Sequence, residues 1–442
     1  MVRIGLMASP KSLVDRRALM AGLGAAALVP LRPTTGLAQP RSALKLTARA
    51  DVLALRPGAP ATPVWSLGAQ EPRFKRGDSL DVTFSNELPV PAVLNWRGID
   101  GAPAAEPLTA RAPLAGRASE TVQLPLRHAG THLCDLGLLG DAEARPSRPR
   151  ALVVLESEPV AVDRDEVFLI EDWRLRADGT AVAPGIEPRD AVPILTANGR
   201  LSLDITARTN NRIRIRFING CQRSVIAVKI ETFNVLVMAL DGQPAEPFQA
   251  RNGAVVLAPG GRADVFIDVT AAAGTTAAIL IHDGREARPI GSLVVSIEPP
   301  VRPLQLPPAP PLPSNGLPAQ LELKGASRFD LMLGTPQSDW VPPANFAASL
   351  PPTFRVKAGR IVVLALTNKG PIANVFHLHG HHFRLLDRLD DGWKPFWLDT
   401  LAIEPGQTQR IAFAAEYAGR WLIESVATDW AAPRLVRWYS VE

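Results

Sequence analysis

The sequence predicts an all-β protein built from three consecutive sandwich or barrel domains, and three observations carry that prediction. Short apolar-alternating segments are broken throughout by Pro, Gly, Asn and Asp, the pattern of strands and turns. Signals of helical period are few. A spacing also repeats three times along the chain, as it does when one structural unit is used in tandem.

The repeat is specific. Gly77 is followed nine residues later by Asn86 and nine later again by Asn95 of "NWRG". Gly359 leads at the same intervals to Asn368 and to His377 of "HLHG", and Asn210 leads to Asn219 and Val228. Each copy goes on to a turn glycine (Gly116, Gly260, Gly406), then to "GTHLCDLG", "GTTAAILI" or "GRWLIESV".

Taken in order, residues 1–38 read as an export signal. Arg16 and Arg17 precede a mildly apolar Ala/Gly/Leu run, and Gly36 and Ala38 stand where a signal peptidase cuts. The pattern is that of the twin-arginine route and places the mature protein in the periplasm. Residues 39–158 form the first domain and 159–298 the second, with "ESEPVAVDRDE" between them. Residues 299–316 are a proline-rich, semi-rigid connector, and 317–442 form the third domain. Within the second, "RIRIRF" (Arg212–Phe217) reads as a strand with one wet face.

Composition excludes several classes. The 442 residues are 46% hydrophobic and 21% charged, ordinary globular material. Once residues 1–38 are set aside the net charge falls from +5 to +1, because Arg3, Lys11, Arg16, Arg17 and Arg32 face only Asp15 there. Nothing basic enough for nucleic acid is left. No apolar run of membrane-spanning length follows the signal, and a monomer is expected. Cys134 and Cys221 lie in different parts of the chain; a disulfide and two buried thiols are equally open.

The richest stretch is "NVFHLHGHHF", residues 374–383, which holds four of the seven histidines. Together with "LTANGRLSLDITARTNNRIRIRFING", "APGGRADVFIDV" and "LDTLAIEPGQTQRIAFAAEYAGRW", it resembles the three-domain, twin-arginine-exported multicopper oxidases. The resemblance covers nearly all of the mature chain and implies cupredoxin-like Greek-key domains. In that family, His-x-His pairs from the first and third domains hold three copper ions. A Cys between two of those histidines connects them to a blue copper site.

Set against that pattern residue by residue, eleven ligand positions retain two. Asn95 and Arg97 of "NWRG" stand for the first pair, Asp135 and Gly137 of "GTHLCDLG" for the second; His132 lies three residues early. Asn374 replaces a blue-copper histidine, whereas His377 and His379 are kept. Glu424, Ser425, Val426 and Trp430 stand for His, Cys, His and His, and Leu435 takes the axial Met position. Without the thiolate the blue site lacks its soft ligand, and Arg97 brings a permanent positive charge toward cations. Only Met238 and Met332 lie outside the signal, so thioether capture of copper is absent too.

Two readings follow. In the first, the protein has no cofactor and no catalytic residues. It serves as a periplasmic scaffold or binding protein for envelope or division proteins, the role the resemblance suggests through a copper-less, twin-arginine-exported relative. In the second, His377, His379, Asp135 and Glu424 hold one metal ion, copper or Zn, Mn or Fe, in a metal-dependent oxidoreductase. Asp135 and Glu424 also stand where they would neutralise Arg97 as a salt-bridged plug. His381 and His382 are expected to be hydrogen-bonded structural residues, with His382 facing away from the other three; His128 and His282 carry no spacing signal.

Overall fold

The computed structural model describes residues 41–68, 71–143, 145–333, 339–387 and 392–442. Residues 1–38, read from the sequence as an export signal, lie outside the described residues. Six sheets form three successive pairs, as the all-β expectation requires. The first pair closes on a core that includes Leu80, Val82, Phe84, Trp96 and Leu152. The second closes on Phe168, Ile215, Phe217 and Ile279, and the third on Leu364, Phe376, Phe413 and Trp421. Each third opens with a strand that runs parallel to its Asn-ended strand: Arg41–Leu53 beside Ser79–Asn86, Arg164–Leu175 beside Arg212–Asn219, Ser327–Leu333 beside Arg360–Asn368. Among the described residues no helix is long and apolar enough to cross a membrane.

The repeated asparagine has a physical cause. Asn86, Asn219 and Asn368 are buried at the ends of equivalent strands, each with its side-chain amide inserted into a turn. Asn86 Nδ2 donates to the Val90 and Leu114 carbonyls while its Oδ1 accepts from the Leu88 amide. Asn219 does the same with Ser224, Leu257 and Cys221, and Asn368 with Ile372, Ile403 and Gly370. Three backbone groups that strand pairing leaves over are satisfied by one side chain, so the position admits few substitutes.

The structure corrects the wet face expected of "RIRIRF". Arg212–Asn219 is a strand, but every residue in it is buried. Arg214 pairs with Asp264 and Glu156, and Arg216 with Asp165 and Asp264. Arg216 also donates to Thr131 Oγ1, from the first third of the chain. The arginine face is covered by another sheet pair, and its charges are paired because burial demands it.

Close backbone approach locks this junction. A Cβ on Gly130, whose φ is +145°, would lie 2.1 Å from the Gly242 carbonyl oxygen. The proline-rich connector is pinned along its length: Arg212 donates to the Pro307 carbonyl at 2.7 Å, Asn210 to the Arg302 carbonyl at 2.8 Å, and Arg302 pairs with Asp163.

Cys134 and Cys221 are free thiols in two different cores. Burial pushes the Cys134 thiol up to about 12 and Cys221 well above its usual range. Neither thiol should react with Ellman's reagent in the folded chain, and both should react in guanidinium; rapid native labelling would contradict this placement. Replacing Asn219 by Ala should lower unfolding stability by about 2–4 kcal/mol in denaturant titrations, since it orphans three buried backbone groups.

Candidate functional site

Strand register brings the residues of interest together. In the first third, Asn95 lies opposite Asp135 and Arg97 opposite Leu133. In the third, His377 lies opposite Glu424. Alternation in Asn95–Arg97 sends Asn95 and Arg97 to one side of the sheet, and they meet Glu424 across the junction.

Glu424 is the centre. It is 1% exposed and accepts hydrogen bonds from Asn95 Nδ2 at 3.0 Å, Arg97 Nη2 at 3.2 and 3.3 Å, and His379 Nε2 at 2.9 Å. Arg434 Nη1 pairs with its second oxygen. Burial alone would raise the Glu424 carboxyl, but Arg97, Arg434 and His379 outweigh it and hold it well below its ordinary value. Arg434 is correspondingly raised against its own burial, chiefly by Glu424 and Asp141.

The two retained histidines differ in state. His379 lies between two carboxylates, with Nδ1 2.8 Å from Glu106 Oε1 and Nε2 2.9 Å from Glu424 Oε1. Burial opposes its charge; Glu106 and Glu424 override that and raise its pKa to about 9. Both nitrogens therefore carry protons at neutral pH, and a doubly protonated imidazole has no lone pair for a metal. His377 is held well below its ordinary value by burial and by Arg97. Its Nδ1 donates to the Asp399 carbonyl at 2.9 Å, also lying 3.0 Å from Thr400 Oγ1, which leaves a lone pair on Nε2.

The ligand atoms of His377, His379 and Glu424 fall within 4.8 Å of one another. Asp135 is near but turned aside: its Oδ1 accepts from the Gly137 amide at 2.6 Å. Burial raises its pKa more than Arg97 and Arg434 lower it. Asp135, Arg97, His377, Glu424 and Arg434 line a crevice with about 20 Å³ of free space, enough for one water. His377 Nε2, Asn95 Oδ1, Arg97 Nη1 and Arg434 Nε are buried without a protein partner.

At the blue-copper positions, Ser425 Oγ donates to Asn374 Oδ1 at 2.7 Å. Trp430 Nε1 donates to the Ala183 carbonyl, and Arg174 lies 4.5 Å over its ring. Each replacement side chain has found a partner among the others or in the backbone.

The remaining histidines correct one expectation. The strand does not continue past Leu378. Gly380, at φ +75°, turns the chain where a Cβ would strike Trp421 at 2.2 Å. His381 therefore leaves the face of His377 and His379 and packs among Phe413, Tyr417, Trp421 and Tyr439, donating to the Tyr439 hydroxyl at 2.8 Å. His382 pairs with Asp100 and approaches His128, which spacing did not single out. His132 is buried with neither ring nitrogen hydrogen-bonded to protein, and His282 is exposed at the end of the strand Thr276–His282.

Sequence reasoning missed Glu106 and Arg434. Arg434 had a faint signal as a cation in the apolar strand "RLVRWYSV", whose register sets it opposite Val426. Glu106 had none, since it comes from a short turn over Pro103–Ala105 and reaches His379 from another third of the chain.

Because His379 is raised from 6.5 to about 9 in the folded chain, it contributes stability fully present below pH 6.5 and lost as pH rises through 9. On that span the contribution is about 3 kcal/mol at most. Replacing His379 by Gln should flatten the fall in unfolding stability between pH 7 and 10; an unchanged slope would contradict the protonated state. Glu424→Gln should cost about 3–5 kcal/mol, because Arg97, Arg434 and His379 lose their counter-charge.

Residues 320–442 match the family model described as multicopper oxidase. The chain is 24% identical over 411 residues to the multicopper oxidase MmcO of Mycobacterium tuberculosis, covering 78% of this chain and 76% of that one. Among solved structures, a multicopper oxidase from Pseudomonas thermotolerans superposes with TM-score 0.78 at 23% identity, over 91% of this chain and 100% of the other. McoA from Aquifex aeolicus gives TM-score 0.72 at 14% identity, over 91% and 98%. At such identities the superpositions speak for the fold, and residues 320–442 are similar to the multicopper oxidase family.

Proposed function

We propose that this protein is a non-oxidase member of its family, exported to the periplasm as a folded scaffold or binding protein for envelope or division proteins. The observation that carries the reading is the set of partners around Glu424: Asn95, Arg97, His379 and Arg434. Trinuclear copper needs several neutral imidazoles converging with free lone pairs. Here two guanidiniums and one imidazolium occupy that space, and of the two histidines there only His377 offers a lone pair. The donor set does not fit the cluster. Ser425, Asn374 and Trp430 likewise offer no thiolate or imidazole at the blue-copper positions.

Retention of one ion by His377, His379 and Glu424 is favoured by their 4.8 Å spacing. It is opposed by the proton on His379 Nε2 and by Arg97 beside the site. The twin-arginine signal and the periplasmic address rest on residues 1–38, and the partner class on the family resemblance.

The test is elemental analysis of protein exported and purified from its native host, beside an assay with phenolic and cuprous substrates. Less than about 0.1 copper per chain and no oxygen consumption are expected, an order-of-magnitude threshold for a site without soft ligands. Stoichiometric copper with a blue absorption band would overturn the reading.

A further inference from the structure

His128 and His382 stand outside the Glu424 core, in a second cluster where all three thirds of the chain meet. Asp100, His128 and His382 are buried, and their ligand atoms lie within 4.8 Å of one another. His382 Nδ1 is 2.7 Å from Asp100 Oδ2, and His128 Nδ1 is 3.6 Å from the same oxygen.

The His382 ring is oriented from behind, as metal-binding imidazoles are, whereas in His128 a neighbouring amide fixes the tautomer at the ligating nitrogen itself. His382 Nε2 donates to the Asp241 carbonyl at 2.9 Å, which points Nδ1 at Asp100. For His128 the orientation passes through two amides. The Ala129 N–H donates to Asn315 Oδ1 and the Ala129 carbonyl accepts from Asn315 Nδ2, so that amide can lie only one way. Asn315 Nδ2 also donates to Gln243 Oε1 at 3.0 Å, which turns the Gln243 NH₂ toward His128 Nδ1 at 2.9 Å. His128 Nδ1 must then present a lone pair.

Charge points the same way. Asp100 and Asp399 lie 2.7 and 3.8 Å from the His382 ring, and Asp241 joins them through Arg262. A divalent cation in place of the His382 proton would give Asp100 a stronger counter-charge against the neighbouring carboxylates.

We propose that Asp100 Oδ2, His128 Nδ1 and His382 Nδ1 form a binding site for one zinc-like divalent cation that ties the first third of the chain to the last. Two imidazoles and a carboxylate are a common zinc set, with water as fourth ligand. His382, like His379, carries protons on both ring nitrogens, so binding must displace one: the Nδ1 proton is exchanged for a metal–nitrogen bond and released to solvent, and the ion takes its place beside Asp100. The Gln243 NH₂ swings away from His128 Nδ1 as the ion takes that lone pair. No redox step is involved, and the site does not depend on the state of the Glu424 core.

The test is calorimetric titration of zinc chloride into the EDTA-treated, dialysed mature chain at pH 7, in two buffers of different ionisation heat. One equivalent of zinc, release of about one proton and a zinc-dependent rise in Tm are expected. His128→Gln removes a neutral ring without breaking an ion pair, and should weaken binding roughly tenfold or more and abolish the Tm rise. Asp100→Asn should do the same. Absence of zinc binding, or equal binding by wild type and His128→Gln, would overturn the site, whatever the copper analysis shows.

Discussion

The Arg262 guanidinium is the contact on which the rest of the architecture depends. It is fully buried, and it donates to the Thr131 carbonyl at 3.1 Å, the Gly260 and Asp241 carbonyls at 2.9 and 2.8 Å, and both Asp399 oxygens at 2.9 and 2.7 Å. Those partners come from all three sheet pairs. Burial works against its charge, yet Asp399 and Asp241 more than offset that and raise its pKa. A cation this deep is tolerable only with every donor used, so the three thirds can assemble in one relative arrangement. Asp241 extends the knot by accepting from the Asp399 and Thr400 amides. The same segment supplies the carbonyl that fixes His377.

From that knot outward, the junction between the first and last thirds is organised by charge. The Glu424 core and the Asp100–His382 cluster each bury carboxylates against cations, and Arg97 and His382 come to them from segments hundreds of residues away. Removing one member leaves another unpaired in a low dielectric, which costs far more than any single pair contributes. A core of this kind resists piecemeal change. Restoring one histidine at Arg97 would leave Glu424 short of a counter-charge and still provide too few lone pairs for copper.

The legibility of the site divides along the same line. The pairing of Glu424 with Arg97 was readable, because strand alternation and tandem spacing fix which positions face the junction. The state of His379 was not, since it depends on Glu106, which arrives from a turn in another third of the chain. His382 shows the limit of periodicity: one left-handed glycine at residue 380 ended the strand and sent two adjacent histidines into unrelated environments. "RIRIRF" shows the same limit on burial. Alternation correctly gave a strand, but whether its polar face meets water or another sheet is a property of the assembled chain.

By itself, then, the sequence determined the strands, the threefold repeat with its buried asparagines and the identity of the groups lining the junction. These follow from periodicity, turn chemistry and spacing, which act over a few residues. Only the tertiary structure decided which of those groups are protonated, which arginines are buried, and that His128 belongs with His382. Proton affinity and burial are set by neighbours hundreds of residues away, and those neighbours are brought into contact only when the three sheet pairs close around Arg262.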